Sequence, residues 1–99
     1  MASRAGVCTA IAEGRFLQFR YNGMWRMVYP CAHGWLPTDN EALRAHEVSL
    51  SCGQLRVAPG KLFRLDQMSG VTVTDQRFED PPPGYRRGDR GMLRIHCQL

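Results

Sequence analysis

A chain of 99 residues, 43% hydrophobic and 22% charged, suits one folded domain; it leaves no room for a second core and is too apolar for a disordered chain. Its 13 basic residues outnumber 9 acidic ones, and all but Lys61 are arginine, whose planar fork matches phosphate and carboxylate better than a lysine point charge. The early apolar run, Ala5 to Ala12, is too short to span a bilayer and lacks a signal-peptide cleavage region, so the expectation is a cytoplasmic protein that does not engage a membrane.

Ser3 is placed to cap a short helix running to about Glu13, with Gly14 as its stop. Residues 15 to 21 then alternate, with Leu17, Phe19 and Tyr21 on one face and Gln18 and Arg20 on the other, the pattern of a half-buried strand. Asn22-Gly23 tolerates the positive φ values of a two-residue turn, so the chain is expected to fold back into a strand from Met24 to Tyr29. Pro30 is expected to end that strand, and Cys31 to Asn40 to form a loop.

A third strand is expected over Ala42 to Leu50, with apolar residues that change face between Ala45 and Val48, which implies either a bulge or burial on both sides. Cys52-Gly53 and Pro59-Gly60 punctuate the approach to a strand over Lys61 to Asp66, and Val71 to Thr74 is a short β-branched strand. Pro81 to Gly84 reads as a stiff connector. Beyond it Leu93, Ile95, Cys97 and Leu99 alternate with polar residues, so a final strand must lie on the chain's own sheet or on a second copy. There is no internal repeat.

Several short strands and one N-terminal helix predict a mainly β fold, a small SH3-like or Sm-like barrel of about five strands with a C-terminal strand extension. The division is residues 1 to 80 for the barrel and helix, and 81 to 99 for the connector and basic strand. The charge follows that division: the first part holds nine basic against eight acidic residues, the second four arginines against Asp89 alone.

Enzyme chemistry finds little support. Gly60-Lys61 lacks the earlier glycine of a phosphate loop, and His33, His46 and His96 show no metal-ligand spacing. Cys8, Cys31, Cys52 and Cys97 contain no C-x-x-C pair; four cysteines could make two disulfides, but in a cytoplasmic chain the expectation is free, mostly buried thiols. A Cys52 and His46 pair is read as structural. The expectation is a non-enzyme with no cofactor and no metal. Trp25 and Trp35 fit either a core or an interface.

Three segments in order resemble the WYL family. Arg15 to Tyr21 followed by Arg26-Met-Val-Tyr-Pro30 is similar to its opening hairpin, Ala42-Leu-Arg-Ala-His46 to the strand that names it, and Lys61-Leu-Phe-Arg-Leu-Asp-Gln-Met68 with Val71 to its R-x-F-R-L-D-R-I signature. The chain departs from the pattern at Glu41-Ala42-Leu43, where the family has Trp-Tyr-Leu, at Tyr29, where Glu is usual, and at Lys61, where the first signature arginine stands.

The resemblance implies a regulatory, ligand-sensing module in transcriptional or defence regulation. Such modules commonly follow a DNA-binding helix-turn-helix, which the fourteen residues before the first strand are too few to supply. It also implies a ligand set of Tyr21, Tyr29, His46, Lys61 and Arg64, suited to a nucleotide, a nucleic acid or another anion. Separately, Arg86, Arg87 and Arg90, with Gly88 and Gly91 among them, resemble arginine-glycine segments that contact single-stranded nucleic acid. The competing expectation is an interaction module without a ligand, acting as a homodimer or on a protein partner through its C-terminal strand.

Overall fold

The computed structural model describes residues 3–99. Helix α1 (Arg4–Glu13) starts where the Ser3 hydroxyl accepts the Gly6 N–H at 3.3 Å and stops where Gly14 turns left-handed, φ 62°. Val7, Ala10 and Ile11 form its buried face.

Strands β1 (Arg15–Tyr21) and β2 (Met24–Trp35) form the expected hairpin. Asn22 at φ 52° and Gly23 at φ 75° supply the two left-handed residues that this tight turn requires. Leu17 and Phe19 point into the core, where each buried side chain contributes roughly 1.5–3 kcal/mol.

Pro30 does not end β2. The pairing with β3 (Glu41–Ser51) slips between Pro30 and Ala32, so that Cys31 is an extra residue in a bulge and the strand runs on to Trp35. The bulge absorbs the break at proline, and residues Cys31 to Gly34 are buried where a loop was expected. Only Leu36 to Asn40 remain as a turn, closed by Leu36 N–H donating to Asn40 C=O at 2.8 Å.

The change of face in β3 is explained by burial on both sides: Ala42, Leu43, Ala45 and His46 are all buried. Cys52 at φ 52° and Gly53 at φ 75° then turn the chain into β4 (Gln54–Val57), a strand that the sequence reading missed because cysteine does not advertise a left-handed turn. β5 (Lys61–Arg64) pairs with the other end of β3 and gives way to a short 3-10 turn at Leu65–Gln67, so the expected strand is two residues shorter. β6 (Ser69–Arg77) extends Val71 to Thr74 at both ends and pairs with β1.

β7 (Arg94–Gln98) pairs with β2 of the same chain, Trp35 opposite Arg94 and Ala32 opposite Gln98. β1 pairs with β2 only as far as Val28, and β7 takes the place it vacates. Ile95, Cys97 and Leu99 are half-buried as the alternation predicts, while Leu93 is exposed. Gly34 makes this approach feasible, because a Cβ there would lie 2.0 Å from the Arg94 carbonyl oxygen.

The result is one antiparallel seven-stranded sheet in the order β4-β3-β2-β1-β6, with β5 also on β3 and β7 also on β2. Mainly β architecture with one short helix is as expected. The sheet is not closed into a barrel: among the described residues β6 pairs only with β1, and neither β4 nor β5 reaches it. α1 lies against the sheet, and Val7, Ile11, Phe19, Leu43, Phe63 and Met68 meet in the core.

The cysteines also depart from expectation. Cys8 on α1 and Cys97 on β7 form a disulfide; Cys31 remains a buried thiol and Cys52 an exposed one. Burial pushes the Cys31 thiol up to about 12, which makes it unreactive at neutral pH. Among the described residues no helix is long and apolar enough to cross a membrane.

Candidate arginine-lined cleft

The side of β3 that carries Arg44 and His46 faces the segment from Gly84 to Arg90, and the gap between them is a cleft of about 440 Å³, lined also by Gly60. This is within the size range of small-molecule sites. The segment has no regular structure, so its position depends on specific ties. Pro82 is buried, Gly84 and Gly88 take positive φ of 83° and 78°, and the Gly88 N–H donates to Gln98 Oε1 at 3.1 Å.

The strongest tie is an ion pair. Arg44 Nε and an Nη donate to the two Asp89 carboxylate oxygens at 2.5 and 3.1 Å, and the Gly91 N–H donates to the same carboxylate at 2.8 Å. The Arg44 hydrogen bond holds the Asp89 carboxyl below its ordinary value against the opposing effect of burial. Asp89, the only acid among the described residues that line the cleft, is therefore already neutralised.

The other arginines divide by role. Arg87 Nε donates to the Leu99 backbone oxygen at 2.8 Å, the oxygen that also accepts from the Tyr85 hydroxyl at 3.2 Å. Burial raises the Tyr85 phenol above its usual value. Arg86 and Arg90 are exposed and join no ion pair among the described residues. His46 is buried at the cleft wall; its Nδ1 lies 3.1 Å from the Ala58 carbonyl, to which it donates, and its Nε2 lies beside Gly60.

The cleft thus brings His46 together with Arg86, Arg87 and Arg90, but the rest of the expected ligand set lies elsewhere. Tyr21 packs edge-on against Phe19 and Phe63, and its hydroxyl accepts the Arg64 N–H at 3.2 Å. Tyr29 packs at a tilt against Phe16 and edge-on against Phe78, ring centroids 4.5 and 4.9 Å away. The Arg64 guanidinium is engaged by Asp66 at 2.6 Å and Asn40 at 3.2 Å, and Lys61 is exposed at the start of β5. None of these four lines the cleft.

Sequence reasoning missed Arg44 and Asp89 as partners. The one available hint was that Asp89 is the sole acid among the arginines of residues 81 to 99, which does not by itself name a partner. The Cys52 and His46 pair is not assembled: they are six residues apart along an extended strand and its turn, about 20 Å of chain. The guanidinium carbons of Arg4 and Arg94 lie over the Trp35 ring, 5.1 and 4.5 Å from its centroid, while Trp25 is exposed.

Comparisons with protein-family models, with curated proteins and with solved structures give no match for this chain.

Proposed function

We propose that this protein is a non-enzymatic binding module that takes a small phosphate-bearing anion, such as a nucleotide, in the arginine-lined cleft. The observation that carries the reading is the charge balance of that cleft: among the described residues four arginines and one carboxylate line it, the carboxylate is paired with Arg44, and Arg86 and Arg90 join no ion pair. An anion entering the cleft gains charge-assisted hydrogen bonds without having to displace a carboxylate from Arg86 or Arg90. Tyr85, half-buried in the same lining, is the aromatic side chain on which a base would stack.

The resemblance to WYL modules supports a regulatory role, with the Gly84 to Arg90 segment as the element that responds. It is held by a few polar ties rather than by a packed core, so an anion that recruits its arginines also shifts its position. An SH3-like or Sm-like ancestry belongs to the same reading; among the described residues the open sheet leaves one edge of β6 unpaired, where a closed barrel would not.

The test is a thermal-shift screen of nucleoside mono-, di- and triphosphates against the corresponding nucleosides. A ligand that binds only the folded state raises the melting temperature. The reading requires that phosphorylated compounds stabilise and that the nucleosides do not.

A further inference from the structure

We propose that Cys8, Cys97, His33 and His96 form a four-ligand site for a divalent metal of the zinc type when the two cysteines are thiols. The structure shows these residues around one point in the oxidised form. One ligand atom from each of Cys8, His33 and His96 lies within 4.8 Å of every other, and Cys97 is bonded to Cys8. A tetrahedral zinc with two sulfurs and two nitrogens places its ligand atoms about 3.3–3.8 Å apart, which small side-chain rotations reach from here.

Three features indicate more than chance proximity. The pairing of β7 with β2 slips between His33 and Gly34: Cys97 faces His33, Ile95 faces Gly34, and His96 is the extra residue of a bulge. Neighbours on a regular strand point to opposite faces, but this bulge turns His96 to the same side as Cys97, with its ring 5.4 Å from that of His33.

The second feature is the orientation of His33, which is fully buried. Its Nε2 lies 3.0 Å from a Glu41 carboxylate oxygen, which only accepts, so Nε2 carries the proton and Nδ1 presents a lone pair. That lone pair faces Cys8 Sγ at 4.0 Å. A disulfide sulfur has no hydrogen to give it, so among the described residues this buried nitrogen is faced by a sulfur that cannot donate. A carboxylate behind a histidine is the arrangement that orients metal-binding imidazoles, and Glu41 is itself held by Arg4 at 2.7 Å.

The third feature is access, since His96 is exposed and provides an entry path beside otherwise half-buried sulfurs. The sequence alone gave no hint of metal spacing because the four ligands come from α1, β2 and β7, with 89 residues between the two cysteines.

Conversion between the two forms balances. An external dithiol breaks the Cys8–Cys97 bond, supplying two electrons and closing its own disulfide, and two protons end on the cysteine sulfurs. Zn²⁺ then binds two thiolates and two imidazole nitrogens and releases those protons to solvent. Reoxidation reverses the exchange and expels the metal.

The test uses the full chain reduced with a phosphine and titrated with Co²⁺, then with Zn²⁺ against a chromophoric chelator. The proposal requires one metal per chain, with the strong visible absorption of tetrahedral, thiolate-bound cobalt. That absorption must vanish in Cys97→Ser and on oxidation, and must weaken sharply in His96→Ala, whose exposed position spares the fold. Glu41→Ala should lower affinity about 10–100-fold, and Cys31→Ser and Cys52→Ser should change nothing. No stoichiometric uptake by the reduced wild-type chain, or full uptake retained by both Cys97→Ser and His96→Ala, overturns the proposal.

Discussion

Arg44 on β3 and Asp89 in the segment before β7 meet through two hydrogen bonds of 2.5 and 3.1 Å, joining parts of the chain 45 residues apart. Side-by-side pairing of a guanidinium fork with a carboxylate fixes direction as well as distance. The Asp89 side chain is only 8% exposed, so the pair is better shielded from water than a surface ion pair. Asp89→Asn should therefore cost about 1–3 kcal/mol in denaturant melts, and hydrogen exchange should quicken from Gly84 to Gly91 while the core is unaffected.

The same pair gives a pH dependence. The folded Asp89 carboxyl lies below its ordinary value, so its contribution to stability is complete above about pH 4 and is lost as pH falls from there through the lower folded value. Melts of wild type and Asp89→Asn should converge in that acid range and differ by a constant amount from pH 5 to 7.

Two glycines are required for different reasons, and substitutions separate them. At Gly34 the limit is space, since the Arg94 carbonyl oxygen occupies the position of a side chain. Gly34→Ala should push β7 off β2 and cost about 1–3 kcal/mol or more by overpacking. Loss of β7 amide protection in hydrogen exchange is the check.

At Gly23 the limit is conformation: nothing lies within 4 Å of an added Cβ, yet φ is 75°. Gly23→Val should cost about 1–2 kcal/mol from the left-handed backbone alone, whereas Gly23→Asn should cost much less, because asparagine tolerates that region. Equal losses for the two variants would show that the turn is not the one described.

The Cys8–Cys97 disulfide closes most of the chain into one loop. Loop-closure entropy for so long a loop makes it worth about 2–5 kcal/mol. A melt in a metal chelator with and without phosphine reductant should show that loss, and Cys31→Ser and Cys52→Ser should leave it intact.

What was legible in the sequence was local. The Ser3 cap, the Gly14 stop, the Asn22-Gly23 turn and the alternation of β1 and of residues 93 to 99 each rest on side chains close in sequence, and each element formed. The misses were set by distant contacts. Pro30 correctly marks an interruption in the ladder, but β3 on one side and β7 on the other carry β2 past it. Cys52 adopts a left-handed turn because the β3–β4 pairing demands it, against its own preference. In the cleft, His46 and the arginines from 86 to 90 were visible as residue types. That Arg44 would neutralise Asp89, and that Tyr21 and Tyr29 would be taken up by aromatic packing, depends on contacts between residues far apart in the chain.

The most direct test of an anion site in the cleft is calorimetric titration with ADP of wild type, the Arg86→Ala/Arg90→Ala double variant and the Lys61→Ala/Arg64→Ala double variant, at low and high salt. The cleft reading predicts saturable binding by wild type that weakens as salt screens the charges. It predicts at least a tenfold loss in the Arg86/Arg90 variant and near-normal binding in the Lys61/Arg64 variant. Binding abolished by the β5 substitutions but indifferent to Arg86 and Arg90 would contradict it and move the site to β5.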